Sequence, residues 1–255
     1  MSKQNPKPVQ KISVKIWKPI IEKLDAKIES ACLRRDAYLA KVLACELDWL
    51  EREVSMPNSP DAYKFVCEQL EKLDRKLVSL ALPPDLTKRL NDTCSRKRIV
   101  RDAFFNRLFL LLAASPRLVD ALLFGDHAEQ WRLEVWSESK NDGPFFHNGF
   151  YPLEPMIDPF WAIRRGLEIL SIDEPPAEEW VDPSSGQTVP IRRDLAGEPL
   201  PIDSVYTVVF DQRGGKHSLL GMSCFMPNSR IPGHEAESVS RAKLDELFHD
   251  LEVQK

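Results

Sequence analysis

Hydrophobic and polar residues alternate strictly over a short stretch near the N-terminus. Residues 11–17 read Lys-Ile-Ser-Val-Lys-Ile-Trp, so that every second side chain is apolar. This period of two predicts a β-strand with one buried face and one basic, solvent-facing face. A second stretch of the same design, residues 77–83, follows 66 residues later and predicts a related strand.

The similarity between the two stretches continues beyond the strands at the same offset. Arg35 corresponds to Arg101 and Asp36 to Asp102, without a gap. An ungapped correspondence over this length indicates an internal duplication. Few identities survive, so chance similarity between two amphipathic helices is the alternative.

Helical periodicity follows each predicted strand. Residues 19–32 and 85–95 place apolar side chains on one face, and second helices are predicted from about Arg34 and Val100. Residues 59–76 connect the repeats and predict a linker helix that starts at a Ser-Pro-Asp sequence. Each repeat is therefore predicted to be a strand followed by two helices.

This pattern resembles the ribbon-helix-helix DNA-binding proteins of the Met and Arc repressor type. The resemblance covers residues 11–54 and 77–114. In that family two copies, normally from two chains, pair their strands into an antiparallel ribbon that enters the major groove. Here one chain carries both copies, and their pairing would satisfy the backbone groups that a lone strand leaves open.

The resemblance implies which side chains would read base edges. These are the outward residues of the ribbon, Lys11, Ser13, Lys15, Leu77, Ser79 and Ala81. Lysine donates to guanine O6 and N7, whereas alanine and leucine can only contact a thymine methyl group. The second strand departs from the polar pattern of the family, and an asymmetric DNA site is expected.

The resemblance also implies phosphate contacts at the start of each second helix, where unpaired amides and the helix dipole favour an anion. The basic residues around these starts are Arg34, Arg35, Arg96, Lys97, Arg98 and Arg101. A solvated, basic helix end without a ligand is the alternative interpretation.

Charge is divided unevenly along the chain, although the formal net charge is only −4. Residues 1–115 contain 22 Lys and Arg against 15 Asp and Glu (+7), whereas residues 116–255 contain 13 against 24 (−11). A basic front half suits a polyanion, and an acidic rear half suits a solvated or partner-binding module that DNA would repel.

The rear half is predicted to mix helices and strands. Residues 115–125 and 158–170 predict two helices, and the aromatic residues between them predict core packing. Residues 173–201 are rich in proline and acid and predict a solvated loop. The β-rich runs 205–211 and 216–225 predict a hairpin, and residues 235–252 predict a closing helix.

The expected fold class is therefore α+β. A flexible arm (1–10) precedes a mostly helical tandem ribbon-helix-helix domain (11–115), and a small α+β module with an antiparallel hairpin follows (116–255). The expected binding partner is double-stranded DNA. A homodimer and a protein partner held by residues 116–255 are further candidates.

No catalytic motif, cofactor site or paired metal motif was found in the sequence, and an enzyme is not expected. The five cysteines are odd in number and suit small buried side chains in a reducing cytoplasm. His217, Cys224 and His234 have too loose a spacing to indicate a metal site. Neither a signal peptide nor an apolar run of the ~20 residues that span a membrane is expected.

These features favour a prokaryotic, sequence-specific DNA-binding protein of the cytoplasm and nucleoid, a transcriptional regulator such as a repressor. The competing hypothesis is an antitoxin, or an accessory protein of plasmid transfer or partition, whose residues 116–255 hold a partner protein. The third hypothesis is an enzyme with a site inside residues 126–255.

Overall fold

Two similar strand–helix–helix units form the N-terminal part of the chain. The computed structural model describes residues 9–124, 158–171, 177–194, 197–209 and 219–234. The first unit consists of β1 (Gln10–Trp17), α1 (Lys18–Ser30) and α2 (Arg35–Glu53). The connecting helix α3 (Pro60–Glu71) leads to the second unit, which consists of β2 (Arg75–Leu82), α4 (Pro84–Arg96) and α5 (Arg101–Ala113). The chain therefore contains repeated β-α-α units at the offset of 66 residues.

The turns between the two helices of each unit are also equivalent. Cys32 and Arg98, which are 66 residues apart, both have a left-handed backbone, with φ of 55° and 47°. The amide of Leu33 donates to the carbonyl of Ile28 at 3.0 Å, and the corresponding amide of Ile99 donates to the carbonyl of Cys94 at 2.8 Å. This is the hydrogen-bond pattern of a Schellman C-cap, which ends both first helices in the same way.

β1 and β2 pair as an antiparallel two-stranded ribbon, with Ser13 opposite Ser79. Because these two serines are equivalent in the two repeats, a pseudo-two-fold axis passes between them. The buried face carries Ile12, Val14 and Ile16 from β1, and Val78 and Leu80 from β2. The period-two pattern thus buries one face against the helices, as predicted.

Side chains from the second helices bind the ribbon backbone. Arg35 Nη2 donates to the carbonyl of Ser79 at 3.1 Å, and Arg101 Nη2 donates to the carbonyl of Ser13 at 3.0 Å. Asn106 also binds β1. Its Oδ1 accepts from the amide of Trp17 at 2.8 Å, and its Nδ2 donates to the carbonyl of Lys15 at 2.9 Å. These bonds satisfy backbone groups of a ribbon that has no further strand beside it within the described ranges.

The later elements pack on the helices of the repeats and share one hydrophobic core with them. They are α6 (Pro116–Leu123), α7 (Trp161–Leu170), and an antiparallel sheet of β3 (Glu178–Val181), β4 (Thr188–Arg193) and β5 (Pro199–Pro201). Asn58, between α2 and α3, donates to the carbonyl of Cys224 at 2.8 Å and accepts from the amide of Met226 at 2.9 Å. An α+β fold is thereby confirmed.

Two predictions for the rear half were wrong. The stretch interpreted as a solvated loop contains β3 and β4, whose antiparallel hairpin closes around Asp182. The hairpin predicted within residues 205–225 does not form in its described parts, because Val205–Thr207 is a turn and Leu219–Met222 is a 3₁₀ helix. The aromatic residues of 126–157 and the predicted helix 235–252 lie outside the described residues.

Candidate functional site

The outward face of the ribbon carries all six side chains that were expected on it. Five of the six are exposed, namely Lys11, Ser13, Lys15, Leu77 and Ser79, and Ala81 is half-buried. In the strand register Lys11 lies opposite Ala81, and Lys15 lies opposite Leu77. Leu77 is 66% exposed, a high value for a large apolar side chain. Among the described residues, the ribbon face is thus uncovered.

The start of α2 lies against β2. Arg34 is exposed at the N-cap position. Arg35 is held in place, since its guanidinium lies 3.4 Å from both Asp25 and Asp36 and bonds to the ribbon. Asp36 also accepts from the amide of Ala81 at 3.1 Å. This helix start therefore combines two arginines with two carboxylates.

The start of α5 lies against β1 and is more basic. Arg101 bonds to the ribbon and approaches Asn91 at 3.4 Å. Asn91 is the repeat equivalent of Asp25, so a neutral amide replaces a carboxylate here. A shallow groove beside this helix start is lined by Tyr63, Asn91, Ser95, Arg98 and Arg101, among others. Tyr63 and Asn91 were missed by the sequence analysis, because nothing in the sequence places α3 beside α5 or brings Asn91 of α4 close to Arg101.

The remaining predicted cations are engaged by the protein itself. Arg96 forms a 3.4 Å ion pair with Glu51, and Lys97 Nζ donates to the carbonyl of Val54. Burial lowers the pKa of Lys97. Arg98 Nη1 donates to the carbonyl of Asn58 at 3.0 Å. Arg96, Lys97 and Arg98 therefore each bind another protein group, unlike the exposed lysines of the ribbon.

Two further basic residues lie at the start of β2, and the sequence analysis also missed them. Lys76 is exposed, opposite Ile16. Arg75 is half-buried, with Nη1 3.9 Å from Asp102 Oδ2. The basic character of β2 near its start was visible in the sequence, but the predicted strand began two residues later.

Of the three residues considered for a metal site, the two that the structure describes, Cys224 and His234, have different neighbours. Cys224 is buried beside Asn58, and burial raises its pKa to about 12. His234 Nε2 lies 3.5 Å from Asp61 Oδ2, and His217 lies outside the described residues. Within the described ranges no group of three or more histidine, cysteine or acidic side chains suits a metal ion.

None of the helices in the described part of the chain combines the length and apolar character that a membrane span requires.

Comparison of the chain with protein families, with curated proteins and with solved structures gave no significant match. Arguments about function therefore depend on the geometry of the ribbon and its surroundings.

Proposed function

We propose that this chain binds double-stranded DNA sequence-specifically by inserting the β1–β2 ribbon into the major groove, and that it acts as a transcriptional regulator in the prokaryotic cytoplasm. The observation that carries the proposal is the ribbon itself. It is a two-stranded sheet with one fully packed face and one face that no described part of the chain covers, and this second face bears Lys11 and Lys15. Two strands about 4.8 Å apart fit a groove about 12 Å wide with their side chains directed at the base edges.

The rigidity of the ribbon supports base reading. Its buried face is anchored by a continuous core, and Arg35, Arg101 and Asn106 bind its backbone from both sides. A ribbon backbone that is fixed in this way loses little conformational freedom on binding. Lys11 and Lys15 can then donate to guanine, while Ser13 and Ser79 at the centre can donate or accept.

Phosphate contacts at the helix starts would fix the ribbon in the groove without reading sequence. The two starts flank the ribbon, because α2 contacts β2 and α5 contacts β1. Arg34 is the more exposed cation at the first start, and Arg101 lies at the second. The backbone amides of these first turns add further donors for an anion.

The test is selection of bound sequences from random DNA by the full-length chain, followed by affinity measurements on the selected site. Lys11→Ala/Lys15→Ala is expected to lose about tenfold in preference for that site over a scrambled one for each guanine contact removed. Lys64→Ala/Lys72→Ala, which removes the same charge at α3, is the matched control and is expected to keep the preference. Full preference in the ribbon variant would contradict the proposed function.

A further inference from the structure

The pseudo-two-fold axis of the ribbon relates side chains of unlike chemistry. Because Ser13 and Ser79 are equivalent, Lys11 corresponds to Leu77 and Lys15 corresponds to Ala81. At these four positions both lysines therefore lie on β1, and both apolar side chains lie on β2. The basic residues Arg75 and Lys76 lie at the start of β2, where Arg75 is half-buried with Nη1 3.9 Å from Asp102 Oδ2. A ribbon built from identical chains would present the same groups on both strands, so the difference bears directly on which sequence is read.

The charges of the flanking helices differ between the two sides of the ribbon in the same direction, with the β1 side being the more basic. Arg101, at the start of α5, bonds to β1 beside Ser13, and the neighbouring α4 position is the neutral Asn91. The start of α2 lies against β2, and there the corresponding α1 position is Asp25, a carboxylate. Tyr63 of α3 lines the groove beside α5 only. The β1 side of the surface is therefore the more favourable side for a phosphate backbone.

From these observations, and resting on the proposed function, we infer that the ribbon reads a non-palindromic, purine-rich element, with the purine strand next to β1. In the arrangement that we infer, each strand of the ribbon faces the bases of the DNA strand nearer to it. Lys11 and Lys15 on β1 then meet guanines of one strand. Leu77 and Ala81 on β2 meet thymine methyl groups of the other strand, whose pairing partners are adenines on the first.

The geometry also sets the spacing of the guanines. Lys11 and Lys15 are separated by four residues, which is about 13 Å along a strand. Successive nucleotides of one DNA strand rise about 3.4 Å. Because the groove winds around the helix axis, the ribbon is inclined to that axis, and the two guanines are expected no more than about four base pairs apart on the same strand.

The first test is in-vitro selection with the full-length chain, followed by interference mapping with guanines methylated at N7. The expected consensus has purines on one strand, and methylation is expected to weaken binding at guanines of that strand alone. A palindromic consensus, or equal interference on both strands, would overturn the inference. Absence of any enriched sequence would instead contradict the proposed function itself, so the two failures are distinguishable.

The second test converts β2 into a chemical copy of β1. Leu77→Lys/Ala81→Lys places lysines on both strands, and this variant is expected to select guanines on both DNA strands and to show interference on both. Leu77→Ser/Ala81→Ser is the matched control, which adds polar groups without charge and is expected to retain guanines on one strand only. Circular dichroism confirms that each variant is folded. An unchanged one-strand consensus in the folded lysine variant would overturn the assignment of β1 to the purine strand.

Discussion

Arg164 Nη2 lies 2.7 Å from Glu46 Oε2, and this pair joins α7 to the middle of α2. The guanidinium also lies 2.6 Å from Glu53 and bonds to Asp158, while the hydroxyl of Tyr206 donates to Glu46 at 2.5 Å. The buried guanidinium group of Arg164 thus pairs with three carboxyl groups. The cluster attaches the later part of the chain to the repeat that carries β1.

Replacing the cation of this cluster is expected to be strongly destabilising. Arg164→Met leaves three carboxylates in a buried site without their counter-charge, and the free energy of unfolding is expected to fall by about 3–5 kcal/mol. Arg165→Met is the matched control, because its pair with Glu168 is largely solvent-exposed, and its effect is expected to stay within about 1 kcal/mol. Urea unfolding of both variants measures the two losses of unfolding free energy. Equal losses would show that the buried cluster stabilises the fold no more than an exposed ion pair does.

Stability is expected to depend on pH through Glu46. Burial raises the pKa of Glu46 to about 7, since desolvation outweighs the stabilisation by Arg164 and Tyr206. The folded chain therefore keeps a proton that the unfolded chain loses near its ordinary pKa of about 4.5. The resulting stabilisation is present below that value and is lost as the pH rises through about 7, with a total on the order of 3 kcal/mol.

The measurement is urea unfolding at intervals between pH 4.5 and 8, with Glu46→Gln as the comparison. Glutamine resembles the protonated carboxyl group and does not titrate, so the variant is expected to lose most of the decline in stability. A decline of the same slope in both proteins would assign the pH dependence to other groups, among them Asp158, whose pKa burial also raises.

Gly221 is expected to tolerate no larger residue. It lies in the 3₁₀ helix that packs on α3, where an added Cβ would meet the backbone nitrogen of Leu70 at 2.9 Å and the carbonyl carbon of Gln69 at 3.1 Å. Backbone atoms cannot rotate away as a side chain can, so Gly221→Ala is expected to cost about 1–3 kcal/mol. Ala37→Ser, on an exposed position of α2, is a control with an expected effect within about 0.5 kcal/mol. A neutral Gly221→Ala would contradict the close packing of these two elements.

Asn106 is expected to be needed for the order of β1. It is fully buried, accepts from the amide of Trp17 at 2.8 Å and donates to the carbonyl of Lys15 at 2.9 Å. Asn106→Ala removes both of these buried hydrogen bonds and is expected to cost about 2–3 kcal/mol. The exposed Asn91→Ala is the control, with a smaller expected loss.

Hydrogen exchange adds a local readout for the same variant. The amide of Trp17 is expected to exchange faster in Asn106→Ala than in the unchanged protein, whereas amides at the centre of α5 are expected to change only with global stability. An unchanged rate at Trp17 would mean that the amide has another acceptor.

The sequence predicted the repeats well because their signals are local. The alternation in residues 11–17 and the prolines at the helix starts depend on neighbours in the chain, and the recurrence after 66 residues is visible by comparing the sequence with itself. The same local reasoning failed for β3 and β4, where acidic residues and Pro190 have low strand propensity. Their pairing depends on the hairpin around Asp182 and on Ile191, which is buried in the core.

The candidate site was predicted in part. The sequence placed Lys11 and Lys15 on an exposed strand face, but the grouping of Tyr63, Asn91 and Arg101 beside α5 required the packing of α3. In the same way, no sequence signal distinguished Arg164 in α7 from the exposed Arg165 next to it.

The two β-α-α units and the exposed lysines of β1 follow from the order of amino acids alone, because alternation and repeat spacing are properties of the chain. That Ser13 faces Ser79, that α5 lies against β1, and that Arg164 pairs with Glu46 became known from the folded structure. These relationships join residues 66 to 118 positions apart. Their free energies arise from burial and charge pairing between distant segments, which no local pattern encodes.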